Sequence, residues 1–313
     1  MNKVDVKSQP QIMSGVFSPV VTPFKADLGV DADRLVKQCR WLLSQNCGLA
    51  VFGTNSEANS LSVEERMALL DALVGAGLDP RRMMPGTGCC SISDSVKLSA
   101  HAVKLGCGGV LMLPPFYYKG VGDEGLYRNF AHIIERVGDS RLRVYLYHIP
   151  PVAQVGISLK LIERLLKDFP GTVVGIKDSS GEWANTEAML KQFPDFAVFA
   201  GNETILLPTM QGGGAGCISA TANINPAAIH ALYANWKDAG AAEAQKNLND
   251  LRAAVQKFPM IPALKQAVAH YSGDPAWERV RPPLVELTAE QKSGLLAELK
   301  ARNFAMPGLA GAR

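Results

Sequence analysis

The chain lacks the features that would tie it to a membrane, a nucleic acid or an oxidising compartment. No apolar run approaches the length of a bilayer span. No block of Lys or Arg is longer than two, charged residues make up only 19%, and the formal net charge is +3, which argues against a nucleic-acid or membrane-surface partner. Cys39, Cys47, Cys89, Cys90, Cys107 and Cys217 show no CxxC pair and no zinc-type spacing. They read as small buried hydrophobes in a reduced compartment, and a cytoplasmic location follows. His101, His132, His148, His230 and His270 are scattered, so no metal site is expected. Residues 1–14 are polar, without the apolar stretch of a signal peptide, and are expected to form a loose N-terminal arm.

Hydrophobic residues, by contrast, reach 47% of 313, enough for one barrel-sized core or two smaller ones. Short apolar runs recur at 15–23, 48–53, 82–88, 108–115, 142–150, 172–178, 196–203 and 214–223. Most are continuous rather than alternating, as in a parallel sheet covered on both faces. Amphipathic segments lie between them. In the one that begins at Asp31, Leu35, Val36, Cys39 and Leu42 share a face, and Ser62 with Glu65 marks a helix start. Eight such units predict an α/β fold, a (β/α)8 TIM barrel over 15–225, with an open doubly wound sheet as the rival. Residues 226–313 read as helical only and form a C-terminal helical appendage.

In a barrel of this kind the reactive groups stand at the carboxyl ends of the strands. Those ends supply "GTNSE" at 53–57, "PPFYYK" at 114–119, Tyr147 with His148, Lys177 with Asp178, and "GNE" at 201–203. Lys177 follows the apolar run Val173, Val174, Gly175 and Ile176, an awkward place for a cation. An amine held among apolar side chains loses part of its preference for the charged form, which frees a nucleophile for imine chemistry. The plainer alternative is an ammonium that reaches Asp178, Glu57 or Glu203, or escapes to solvent. "GGGAG" at 212–216 reads as a turn leading into a strand rather than a phosphate cradle.

"GTNSE", "LPPFYYKG", "YHIP", "GIKDSSG", "AGNE" and "GGGAGCISATAN", in this order and spacing, resemble the dihydrodipicolinate synthase and N-acetylneuraminate lyase family of Schiff-base lyases over nearly the whole chain. The resemblance implies that Lys177 forms an imine with a 2-oxo acid such as pyruvate and that no external cofactor is needed. Tyr147 matches the proton-shuttling tyrosine. Thr54 matches the hydroxyl that links it to a second tyrosine, here Tyr117, lent across a subunit interface. Thr54 and Asn55 fall where the family binds the pyruvate carboxylate, and Gly201 and Ile218 where backbone lines the lysine's pocket. The family's usual assembly is a homotetramer, so at least a dimer is expected.

Three departures matter. Val152 replaces the arginine that clamps a substrate carboxylate in the synthase branch. Asn55 and Ser56 replace the family's second hydroxyl and glycine, and His148 replaces a common asparagine, adding a titratable group expected beside the site. The first change is more similar to the lyase side of the family, and the expected reaction is cleavage of a 2-oxo acid to pyruvate and an aldehyde by a reversible aldol step. The alternatives are a dehydratase or deaminase acting on a 2-oxo-3-deoxy sugar acid through the same imine, with 4-hydroxy-tetrahydrodipicolinate synthase activity less favoured. A non-catalytic 2-oxo-acid-binding protein would not need the proton relay of Tyr147, Thr54 and Tyr117.

Overall fold

A computed structural model describes residues 12–311; the expected arm, as far as residue 11, lies outside the described residues. Seven parallel strands form one curled sheet: β1 (Gly15–Ser18), β2 (Gly48–Leu49), β3 (Val110–Met112), β4 (Val144–His148), β5 (Val173–Asp178), β6 (Ala197–Ala200) and β7 (Gly216–Ile218). Their order is β2-β1-β7-β6-β5-β4-β3. The run expected at 82–88 spans the remaining gap without being a regular strand. Met84 and Gly86 donate N–H to Leu49 and Val51 (both 2.8 Å), and on the other side Leu111 N–H reaches Pro85 O and Thr87 N–H reaches Leu111 O (both 2.9 Å). Pro85 has no N–H to give, which breaks the ladder here while still letting the ring close as a TIM-barrel-like fold.

Twelve helices accompany the sheet among the described residues: α1 (Ala32–Ser44), α2 (Val63–Gly75), α3 (Ile92–Lys104), α4 (Asp123–Val137), α5 (Pro150–Ala153), α6 (Leu159–Asp168), α7 (Trp183–Gln192), α8 (Leu206–Gln211), α9 (Pro226–Ala234), α10 (Ala241–Val255), α11 (Met260–Ser272) and α12 (Ala289–Ala301). The start read at Ser62 is a reciprocal cap on α2. Ser62 Oγ accepts from Glu65 N–H at 3.1 Å, and Glu65 Oε2 accepts from Ser62 N–H at 2.9 Å. Helix α9 packs on β1, and α10 packs on α9 and α12. None of the described helices is long and apolar enough to cross a membrane.

Strand alternation sorts the core into two layers. Val16, Leu49, Val110, Leu146, Ile176 and Val198 face the helices. Phe17, Leu111, Tyr145, Tyr147, Phe199 and Ile218 fill the barrel interior. Phe199 meets Phe17 and Tyr145 edge-on at 5.7 and 5.8 Å between ring centroids. Burying a side chain of this size contributes about 1.5–3 kcal/mol, so the interior is a packed core and not a pore.

One irregularity in this alternation decides where the chemistry sits. Val144 pairs with Val173 but Tyr145 pairs with Gly175, so β5 carries one extra residue. Val174 belongs to the interior layer, and a Cβ on Gly175 would strike the interior Tyr145 ring at 2.5 Å. Two successive positions thus face inward, and the phase resets. Ile176 then faces the helices and Lys177 the barrel interior; a side chain at 175 would push the two strands apart.

Candidate active site

The bulge leaves Lys177 on β5 beside Tyr147 on β4 and Phe199 on β6, its register partners on the two neighbouring strands. Only 3% of Lys177 is exposed. Its Nζ donates to Tyr147 Oη at 3.1 Å and lies 4.2 Å from the centroid of that ring. Tyr147 Oη in turn shares a hydrogen bond of 3.2 Å with Thr54 Oγ1. Three residues from three separate strand ends therefore form one continuous polar line inside an apolar barrel.

The three carboxylates that could have made Lys177 an ordinary ion-pair partner are all engaged elsewhere. Asp178 alternates to the outer face, where its carboxylate accepts from Thr186 Oγ1 (2.7 Å), Asn185 Nδ2 and Ser180 N–H (both 3.0 Å). Glu203 accepts from the hydroxyls of Ser219 and Thr221 and pairs with Arg252 at 3.0 Å. Glu57 pairs with Lys265 and accepts from Arg281 N–H at 2.9 Å. Among the described residues no carboxylate pairs with Lys177.

Thr54 and Asn55 sit in a short 3₁₀ turn over Thr54–Ser56. Among the described residues the N–H groups of Thr54 and Asn55 have no acceptor, whereas Gly53 N–H donates to Ser56 Oγ at 3.2 Å. Ser56 needs no glycine-like backbone, because the left-handed conformations of this turn fall on its flanks, at Phe52 (φ 62°) and Glu57 (φ 55°). Its carbonyl also accepts from Thr22 Oγ1 at 2.7 Å, which ties the turn to the segment after β1. A small cavity of about 10 Å³ is lined by Gly53, Thr54, Gly86, Leu113 and Tyr147, two of the three members of this line among them. A larger cavity of about 650 Å³ lies at the opposite end of the barrel, around Gly15, Gly48 and Gly108.

The other residues singled out from sequence divide into those near Lys177 and those that are not. Ile218 is fully buried in the interior layer. Gly201 N–H donates to Asp178 O at 2.7 Å, and a Cβ there would meet Ser179 Oγ at 2.2 Å, so only glycine fits this close against the loop after Lys177. His148 is not brought to the lysine. It follows Tyr147 on the strand and so faces outward, where its Nδ1 accepts from Ile157 N–H at 2.9 Å. Burial pushes its pKa down while Asp178 pulls it the other way, and the ring's hydrogen bond suits the neutral form. Val152 stands on the rim in α5, 62% exposed. Tyr117 is 75% exposed, stacks edge-on with Tyr118 at 5.4 Å, and within this chain touches neither Thr54 nor Tyr147.

Gly175 and the pair Glu57–Lys265 escape sequence reasoning. A glycine inside an apolar strand was the available signal for the bulge. For Glu57 and Lys265 there was none, because they are 208 residues apart.

The chain matches the model of the dihydrodipicolinate synthetase family over residues 12–302. It is 32% identical over 286 residues to an uncharacterized DapA-like lyase of Chloroflexus aurantiacus, covering 90% of this chain and 95% of that one. Among solved structures it resembles dihydrodipicolinate synthase from Agrobacterium tumefaciens (36% identity, TM-score 0.86, 92% of this chain and 98% of that one). It also resembles YagE, a prophage protein from E. coli solved in complex with pyruvate (27% identity, TM-score 0.86, 94% and 100% covered).

Proposed function

The chain belongs to the dihydrodipicolinate synthetase family, whose members are lyases, and from that premise we propose that it cleaves a 2-oxo acid by a reversible aldol reaction through an imine on Lys177. The observation that carries this reading is the line from Thr54 Oγ1 through Tyr147 Oη to Lys177 Nζ, with no carboxylate of the described residues on the amine. In the proposed sequence neutral Lys177 attacks C2 of the substrate, and Tyr147 passes a proton to the departing hydroxyl as the carbinolamine loses water. The protonated imine withdraws electrons from C3. Loss of the C4 hydroxyl proton then breaks the C3–C4 bond and releases an aldehyde, leaving an enamine. Protonation at C3 and hydrolysis of the imine free pyruvate and regenerate the amine.

The free N–H groups of Thr54 and Asn55 suit the substrate carboxylate, and Gly201 and Ile218 would wall the pocket. At the distal end Val152 offers no charge to a second carboxylate, which disfavours the synthase reaction named for the Agrobacterium relative. Tyr117 can complete the relay only from a second copy, so the active unit in this reading is at least a dimer and by family habit a tetramer. Its six free thiols fit a reduced compartment such as the cytoplasm.

Incubation with pyruvate followed by borohydride should leave a covalent adduct on Lys177 by mass spectrometry; an unmodified lysine would refute the imine. A panel of 2-oxo-3-deoxy sugar acids then separates the two branches. Pyruvate with an aldehyde as products supports aldol cleavage, whereas a product that keeps every carbon supports elimination at C4. Light scattering that finds an active monomer would remove Tyr117 from the relay.

A further inference from the structure

The Thr54–Ser56 turn is held from below by the C-terminal helices, and the grip is electrostatic. Glu57, the residue that ends the turn, has a side chain with no exposed surface, and so does Lys265 of α11, with which it pairs. Both groups have further partners. Glu57 Oε2 accepts from Arg281 N–H at 2.9 Å, and Lys265 Nζ donates to Arg279 O at 2.6 Å and lies 4.4 Å from the Phe24 ring centroid. The Arg281 side chain completes the clamp on the adjoining segment, reaching Ser60 O at 2.7 Å and Glu65 Oε2 at 2.8 Å.

A buried ion pair is a poor device for stability alone, since its desolvation cancels much of its attraction, and well-packed apolar residues would serve as well. What it does supply is a fixed position. Glu57 is a non-glycine residue held in the left-handed region, at φ 55°, a conformation that persists only where the surroundings impose it. Three residues earlier stands Thr54, whose hydroxyl meets Tyr147 and whose N–H is free.

We propose that Glu57 and Lys265 are positioning residues: their pair, braced by Arg279 and Arg281, anchors the Thr54–Ser56 turn to α11 so that its N–H groups and the Thr54 hydroxyl are preorganised for a 2-oxo acid. The proposal rests on the imine reading above. It makes the C-terminal helices part of the site's construction, although among the described residues none of their side chains hydrogen-bonds to Lys177 or Tyr147.

The test measures the pyruvate concentration that half-saturates borohydride trapping on Lys177, in the unaltered protein and in Glu57→Gln, Lys265→Met and the double variant. At least a tenfold rise in half-saturation, with full adduct yield at saturating pyruvate, is expected for every variant that folds. The double variant leaves no buried charge unpaired, so it should regain thermal stability over the single ones yet keep the raised half-saturation. A double variant with unaltered half-saturation overturns the positioning role and leaves the imine reading intact. Absence of adduct in the unaltered protein overturns both. Because coupling is reciprocal, pyruvate should also slow amide exchange over residues 260–281 of the unaltered protein; exchange there that ignores pyruvate refutes the anchor without any variant.

Discussion

Two buried lysines in this molecule are treated in opposite ways. Lys265, with none of its surface exposed, receives a carboxylate from Glu57 and a carbonyl from Arg279. Lys177, 3% exposed, receives among the described residues only the phenol of Tyr147, although Asp178 is its chain neighbour. Burial pushes the pKa of Lys265 down to about 8, with Glu57 pulling it back toward the charged form. An amine meant to stay an ammonium is matched with a counter-ion. An amine meant to form a bond is left with a proton donor and acceptor instead, and nearby carboxylates are turned outward or assigned to other partners.

The comparison breaks most visibly at the nucleophile. Lys177→Ala should abolish adduct and turnover altogether, as read by mass spectrometry and pyruvate release, because among the described residues no second amine bonds to Tyr147. Tyr147→Phe should keep the amine in place and lower kcat by about 10²–10⁴, the usual worth of general acid–base catalysis, while moving the half-saturating pyruvate concentration far less. A variant whose losses fell equally on both would assign Tyr147 to binding.

Stability should run the other way between the two lysines. Lys265→Met leaves the Glu57 carboxylate buried and unpaired, and is expected to cost about 3–5 kcal/mol in chemical denaturation. Lys177→Met leaves no carboxylate stranded and should stabilise the fold by up to about 1 kcal/mol, the trade-off expected of a residue kept for chemistry. Equal losses at the two positions would contradict the contrast drawn above.

The smallest effect concerns acid. The folded-state pKa of His148 lies below its unfolded value, so as pH falls through the ordinary histidine range the unfolded chain takes up the proton first. Its contribution is therefore complete above that range and is lost as pH drops toward the folded pKa. His148→Asn retains an acceptor for Ile157 N–H and should flatten this part of the stability curve between pH 7 and 5. Unchanged pH dependence would place the acid-sensitive group elsewhere.

Much of this was legible along the chain. The eight apolar runs mark the staves of the barrel, and even the one broken at Pro85 sits between β2 and β3 and bonds to both. Their expected limits run past the regular strands; the run read at 214–223 is strand only over Gly216–Ile218, because the apolar residues after it pack in a 3₁₀ turn, Ala220–Asn223. The gathering of Lys177, Tyr147 and Thr54 follows from strand ends sharing one face of the barrel. The placement of His148 did not follow from adjacency to Tyr147, since neighbouring positions on a strand point to opposite faces. Tyr117, exposed on the rim, depends on a neighbour that one chain does not contain.

By itself the sequence determined the rhythm of strand and helix, the apolar lead-in to Lys177 and the residues at each strand end. These are local properties of periodicity and side-chain type. Only the tertiary structure decided that Lys177 faces the interior, because the extra residue at Val174–Gly175 is defined by the register against β4 and not by β5 alone. It also decided which carboxylate neutralises which cation. Ion pairing depends on a few ångströms of distance between groups such as Glu57 and Lys265, separated by 208 positions in the chain, and no local pattern encodes that distance.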